Sequence, residues 1–247
     1  MRGRGYITTS WDDGHPNDER LADLLESYAI PATFYIPRTN PLNSLPVISE
    51  DSIRRLSGRG FDVGAHTLDH VVLTSQPDDR ARYQITTSKD WLEQVTGQPC
   101  DMFSPPCGRF SPKHRTIIRD AGFTGFRSVE MWSTAPPRSE QGLRELATSI
   151  QAYPQRKVRV IKNLAKRKAV RNLQTFARFG WSGDWTDHAI TLIERCATRG
   201  GTFHLWGHSW EIITPHHWQQ LEKVCRAIKA ASERLTLLTN AELTARR

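Results

Sequence analysis

Two groups of residues in this chain combine the types and spacing needed for metal and acid–base chemistry. The first is Asp12-Asp13-Gly14, which ends the short apolar run Tyr6 to Trp11. Inside a strand, adjacent side chains point to opposite faces, so two neighbouring aspartates could not share a pocket there. Just past a strand end they can converge, because Gly14 is free to adopt conformations closed to other residues. One carboxylate could then hold a metal while the other accepts a proton; the alternative is an acidic turn feeding the helix that begins near Asn17. The second group is His66-Thr-Leu-Asp-His70, two imidazoles four residues apart. A helical turn or a tight loop brings such a pair onto one ion. A carboxylate from the aspartate pair would complete a two-histidine, one-carboxylate site with open positions. Taken singly, each histidine is more often a surface or hydrogen-bonded residue than a ligand.

The elements that must position these groups alternate along the chain. Strands are expected at Tyr6–Trp11, Ala32–Ile36, Phe61–Ala65, Met102-Phe103, Phe123–Val129, Leu146–Ala152, Thr202–Trp206 and Leu235–Thr239, with β-branched and aromatic residues concentrated in them. Between them lie helical patterns with their own boundary signals: Asn17 and Ser49 as caps, Gly97 as a stop, Ser111-Pro112 as a start, and Asp184 as a cap before Ile190, Ile193 and Ala197. Alternating strands and helices predict βαβ units and a parallel sheet. At this length they predict a single-domain α/β protein over residues 1–247, a closed or nearly closed β/α barrel. Asp12, Asp13, His66, Pro106 and His208 then fall at the C-terminal ends of strands, the face on which such barrels build active sites.

Composition narrows the classes. No run of about 18 apolar residues occurs, which excludes a spanning helix. Met1-Arg-Gly-Arg4 runs directly into the first strand without a secretory apolar stretch, so the expectation is a cytoplasmic protein. Cys100, Cys107, Cys196 and Cys225 lack close-paired metal spacing and read as reduced thiols. The least legible part is about 130–183. From Leu146 to Gly183 there is no Asp or Glu, while Lys and Arg crowd Arg156 to Arg171. This segment is either a solvated face or a contact for an anionic membrane surface or a phosphate-bearing substrate. Nucleic acid is not expected as a partner, since no aromatic is interleaved with the charge before Phe176.

Several of these stretches, in order, resemble the motifs of the metal-dependent polysaccharide deacetylases. Ser10-Trp-Asp-Asp-Gly14 looks like the first motif, Gly64-Ala-His-Thr-Leu-Asp-His70 the second, Phe103-Ser-Pro-Pro-Cys-Gly108 the third and Phe203-His-Leu-Trp-Gly-His208 the fifth. The resemblance spans about residues 6 to 240 and implies a distorted (β/α)7 barrel. It implies Asp12 as general base, Asp13, His66 and His70 as metal ligands, and His208 as general acid. The ion is expected to be one divalent cation, Zn2+ first, with Co2+, Ni2+, Mn2+ or Fe2+ as alternatives. Pro106 and Cys107 would contact substrate or the oxyanion, Cys107 through its backbone N–H. Trp206 and Trp210 would stack on a sugar face or pack in the core, and Glu211 would orient a neighbour or be solvated. The fourth motif is placed at Arg127-Ser-Val-Glu-Met-Trp132, with Glu130 and Trp132, and Asp184-Trp185 competes for it.

One departure stands out. The third motif usually opens with an arginine that orients the base, and here that position is Ser104. Arg109 or Arg127 is expected to reach Asp12 instead. The function implied is removal of the N-acetyl group from an acetamido sugar of a cell-surface glycan or its precursor. The alternatives are a related amidohydrolase acting on a non-carbohydrate C–N bond such as a cyclic amide, and a catalytically silent glycan-binding barrel.

Overall fold

The computed structural model describes residues 5–140 and 142–246. Met1 to Arg4, on which the expectation about a leader rests, lie outside the described residues. Strand β1 (Gly5–Asp12) is followed by α1 (Asp18–Ser27), β2 (Thr33–Ile36), α2 (Glu50–Gly58), β3 (Asp62–Ala65), α3 (Asp78–Thr96), β4 (Met102–Phe103), α4 (Pro112–Asp120) and β5 (Gly125–Arg127). The middle holds β6 (Arg138–Glu140), β7 (Leu143–Leu146), β8 (Ile150–Gln151), α5 (Lys157–Lys166) and α6 (Val170–Phe179). The chain closes with α7 (Trp185–Arg199), β9 (Gly201–His208), α8 (Pro215–Ala231), β10 (Leu235–Leu237) and α9 (Asn240–Ala245).

The strands form one sheet in the order β6-β7-β5-β4-β3-β2-β1-β9-β8, parallel except for the β6–β7 pair, with β10 added beside β1. This is the expected α/β architecture, a sheet curled toward a distorted barrel. Strand β1 is its axis. All eight of its residues pair with β9, while its other edge takes β10 at Gly5–Ile7 and β2 at Ser10–Asp12. Seven of those eight residues are buried, as expected of a strand covered on both faces. Trp11, Phe34, Phe103, Phe126 and Phe203 fill the interior, each at most 1% exposed.

Three local expectations change. Asn17 makes no side-chain cap, because it already has helical dihedrals (φ −64°, ψ −11°); the turn is closed instead by the Asp18 N–H donating to the His15 carbonyl at 2.8 Å. The strand expected over Phe123–Val129 is trimmed to Gly125–Arg127. The one expected over Leu146–Ala152 is split: β7 pairs with β5 and ends at Leu146, and β8 pairs with β9 from Ile150. Three residues thus carry the chain from one end of the sheet order toward the other. Polar bonds pin them. The His204 Nδ1–H donates to the Ala147 carbonyl (3.0 Å), the Ser149 N–H donates to the His204 carbonyl (2.9 Å), and the Ser149 hydroxyl donates to the Ser133 carbonyl (2.6 Å). Burial pushes the His204 imidazole down to about 3, so it sits in this seam neutral.

Candidate metal centre and active-site cleft

Asp12 is the last residue of β1 and His208 the last of β9, and the two are register partners. Asp13 follows at φ 78°, a left-handed conformation that swings its carboxylate toward the same mouth as Asp12. Past β3, the His66–His70 segment is a loop with Thr67 at φ 58° and His70 at φ 50°; after β4, Cys107 is at φ 55°. Left-handed backbone at non-glycine residues is costly and collects where geometry serves a site. Asp13, His70 and Cys107 all line one cleft of about 480 Å³, together with Asp12, His66 and His208.

Within that cleft Asp13 Oδ1 lies 3.0 Å from His70 Nε2 and 3.5 Å from His66 Nε2. All three side chains are buried, and one ligand atom from each lies within 4.8 Å of the others. The His66 Nδ1–H donates to the Ser104 carbonyl at 2.6 Å, so in the neutral ring Nε2 turns a lone pair toward Asp13. A lone pair facing a carboxylate oxygen is repulsive unless a cation stands between them. The donor set therefore fits one divalent ion with mixed nitrogen and oxygen ligands. Burial works against the Asp13 charge, yet the two histidines hold its carboxyl far below the usual range; burial also holds His70 below its ordinary value. The Trp210 indole N–H donates to Asp13 Oδ2 at 2.8 Å. That side chain steadies the carboxylate, a contact that the stacking expectation did not include.

Asp12 has a different partner. Arg127, fully buried, donates through Nη2 to Asp12 Oδ2 and also to the Ser104 hydroxyl, the latter at 2.8 Å. Its guanidinium lies over the Trp206 ring, 4.9 Å from the centroid. The residue at the departing position thus supports an arginine that comes from β5. Arg109 is exposed and lines the cleft without reaching Asp12. Asp12 Oδ1 is buried and has no protein partner among the described residues.

The third group is His208, whose Nδ1–H donates to Glu211 Oε2 at 2.8 Å. Glu211 also accepts from Gln151 Nε2 at 2.9 Å. Burial lowers the His208 value, but Glu211, Asp12 and Asp13 outweigh it and raise the imidazole above its ordinary range. Pro106 is buried in the turn behind Cys107, and the Gly108 and Arg109 N–H groups donate to the carbonyls of Pro105 and Pro106. Cys107 is exposed, with burial of its thiol and the nearby carboxylates pushing it up.

Glu130 and Trp132 do not join the cleft. Successive residues of the loop after β5 point oppositely: Val129 and Met131 face the cleft, whereas Glu130 accepts from Asn172 (2.9 Å) and Arg138 (2.7 Å). Trp132 packs on Phe176 and His188, ring centroids 5.1 and 5.2 Å away, because its N–H is tied to the Ser149 carbonyl. Asp184 caps α7, accepting from the N–H groups of Thr186 and Asp187, and takes no part either. Sequence reasoning missed the part of the cleft wall built by Gln151, Gln155, Arg159 and Asn163. Its one available signal was the acid-free stretch from which these residues come.

The family model for polysaccharide deacetylases matches residues 2–126, half of the chain. The chain belongs to the polysaccharide deacetylase family. Among its relatives, the chitooligosaccharide deacetylase of Azorhizobium caulinodans is 30% identical over 150 residues, covering 57% of this chain and 66% of that protein. The peptidoglycan-N-acetylmuramic acid deacetylase PdaC of Bacillus subtilis is 26% identical over 133 residues, covering 53% of this chain and 26% of that protein. The chain spans about half or less of the length of several curated relatives. Solved polysaccharide deacetylase structures share the fold. A candidate member from Mycobacterium smegmatis superposes with a TM-score of 0.68 at 15% identity, over 99% of this chain and 90% of its own. The family 4 carbohydrate esterase of Streptomyces lividans, solved with acetate, gives 0.58 at 14%, over 94% and 90%. Among the described residues, no helix of this chain is long and apolar enough to cross a membrane.

Proposed function

We propose that this chain is a metal-dependent hydrolase that removes the N-acetyl group from an acetamido sugar of a glycan or glycan precursor. One observation carries the reading: three buried ligand atoms converge in the same cleft that holds a carboxylate and an imidazole in register on adjacent strands. The deacetylase names of the relatives support the reaction type.

Asp13, His66 and His70 would hold the ion. When bound, a divalent cation supplies Lewis acidity, polarising the amide carbonyl and the attacking water. The remaining chemistry belongs to the chain. Asp12 takes the water's proton on Oδ1, while Arg127 pairs with Oδ2 and fixes the carboxylate's orientation. The water oxygen adds to the acetamide carbon. His208, its Nδ1 committed to Glu211, presents Nε2 to the cleft and delivers a proton to the leaving amine as the C–N bond breaks. Acetate and the free amine result. The Cys107 backbone N–H, on a turn that lines the same cleft, would meet the oxyanion.

The silent-barrel alternative drew on the missing motif arginine, and Arg127 supplies a guanidinium to the same aspartate. The test is metal analysis of the purified protein, then acetate release from a panel of N-acetylated sugars before and after chelation. Stoichiometric metal with chelator-sensitive acetate release is the expected result. Activity that survives complete metal removal would overturn it.

A further inference from the structure

With a divalent cation held by Asp13, His66 and His70, the positive charge of the cleft exceeds the negative charge of its three carboxylates, Asp12, Asp13 and Glu211. Asp12 is paired with Arg127, Asp13 with His66 and His70, and Glu211 with His208. Two cations face the same cleft, Arg109 from the turn after β4 and Arg159 from α5. Neither forms an ion pair among the described residues, and both are exposed to the cleft's solvent. No carboxylate can come to Arg159 from its own wall, since residues 146–183 contain none. The two segments that carry these arginines are also tied together: Arg167, just past α5, donates to the Gly108 carbonyl at 3.3 Å. For the hydroxyls of an uncharged sugar the cleft already offers neutral amides, Asn43, Gln151, Gln155 and Asn163. The arginines are additional to that need. A guanidinium presents a planar fork of donors that matches carboxylate and phosphate oxygens. Two of them in a concave site raise the local concentration of anions.

We propose that Arg109 and Arg159 select an acetamido sugar bearing an anionic substituent, a carboxylate or a phosphate, near the acetamide. This rests on the N-deacetylase reading of the cleft and names its substrate class. The arginines act on binding, not on the bond that breaks.

The experiment is calorimetric titration of the zinc-loaded protein with N-acetylglucosamine, N-acetylmuramic acid and N-acetylglucosamine 1-phosphate, at 50 and 300 mM salt. At least one of the two anionic sugars should bind about tenfold or more tightly than the neutral one, with a preference that shrinks at high salt. Whether the carboxylate or the phosphate binds better identifies the source of the charge. Arg159→Gln and Arg109→Gln should each reduce that preference several-fold while metal content stays stoichiometric, and Arg159→Lys should restore part of it. Equal binding of all three sugars, no measurable binding of any, or a preference that survives both glutamine substitutions overturns the proposal. Acetate release is measured in parallel. A preference for the anionic sugars without acetate release from any substrate would count against the N-deacetylase reading and leave the anion site standing.

Discussion

The rim at the ends of β1 and β3 and the wall built by residues 130–183 line one cleft, yet they are made in different ways. The rim joins two short-spaced pairs that the sheet brings together from separate strands. Asp12 and Asp13 are neighbours in sequence, His66 and His70 are four apart, and left-handed backbone at Asp13 and His70 turns them inward. The wall comes from one stretch of chain, with Gln151 at the end of β8, Gln155 in the loop after it, and Arg159 and Asn163 on successive turns of α5. The difference suggests a division of labour: bond-breaking is encoded in short spacings at strand ends that the sheet brings together, and choice of substrate in one stretch of strand, loop and helix.

Perturbing the rim should therefore cost the reaction itself, and the largest loss is expected from His66→Ala. That variant should fold, since His66 sits in a loop beyond β3, but lose stoichiometric metal and with it all measurable turnover. Full metal occupancy by elemental analysis would remove His66 from the ligand set. Next comes His208→Ala, which should keep its metal and lose on the order of 10²–10⁴-fold in rate; a loss of metal instead would make His208 a ligand. Arg127→Lys should lower turnover by about tenfold, equivalent to about 1.4 kcal/mol of transition-state stabilisation, because a shorter, non-planar ammonium loses the stacking on Trp206 that positions the nitrogen bound to both Asp12 and the Ser104 hydroxyl. Metal affinity measured by chelator competition should stay near wild type. A parallel collapse of metal binding would mean that rim and wall are coupled more closely than their construction implies.

The smallest effect is a shift of profile. An acid must be protonated to act, and the His208 value is raised, so activity is expected to persist to higher pH than an ordinary histidine allows. Removing the Glu211 charge withdraws one of the contributions that raise it. The alkaline limb of kcat in Glu211→Gln should accordingly move to lower pH, with metal content unchanged. A limb that stays in place would assign that ionisation to another group.

How much of this could be read in the sequence follows the same division. Strand ends carrying Asp12, His66 and His208 were visible because strands of this kind announce themselves by β-branched and aromatic runs, and the pairs on the rim by spacing alone. The partner of Asp12 was narrowed to two arginines, but choosing between them needed the curl of the sheet that brings β5 opposite β1, 115 residues away. In the loop after β5, the alternation of Val129 and Met131 with Glu130 and Trp132 decides which side chains face the cleft. A motif match cannot sense that alternation, and it placed the wrong pair there. The expected Leu146–Ala152 strand failed for a related reason: its hydrophobic pattern is continuous, while its hydrogen-bonding partner changes midway from β5 to β9.

The pairing of β1 with β9 also bears on when the catalytic cleft comes into being. Asp12 lies opposite His208 only after some two hundred residues have been synthesised between them. Bringing such distant strands together is slow, because chain closure must precede any contact that rewards it. On the ribosome, the first half of the chain emerges before the partner of β1 has been made, and β1 has an unpaired edge along its whole length until β9 follows. A nascent or truncated chain ending before residue 201 therefore exposes an eight-residue, pairing-competent strand, seven of whose residues are buried in the finished fold, the kind of edge that invites association with another chain. For this protein the last strand of the central pair both completes the cleft and protects its first strand from aggregation.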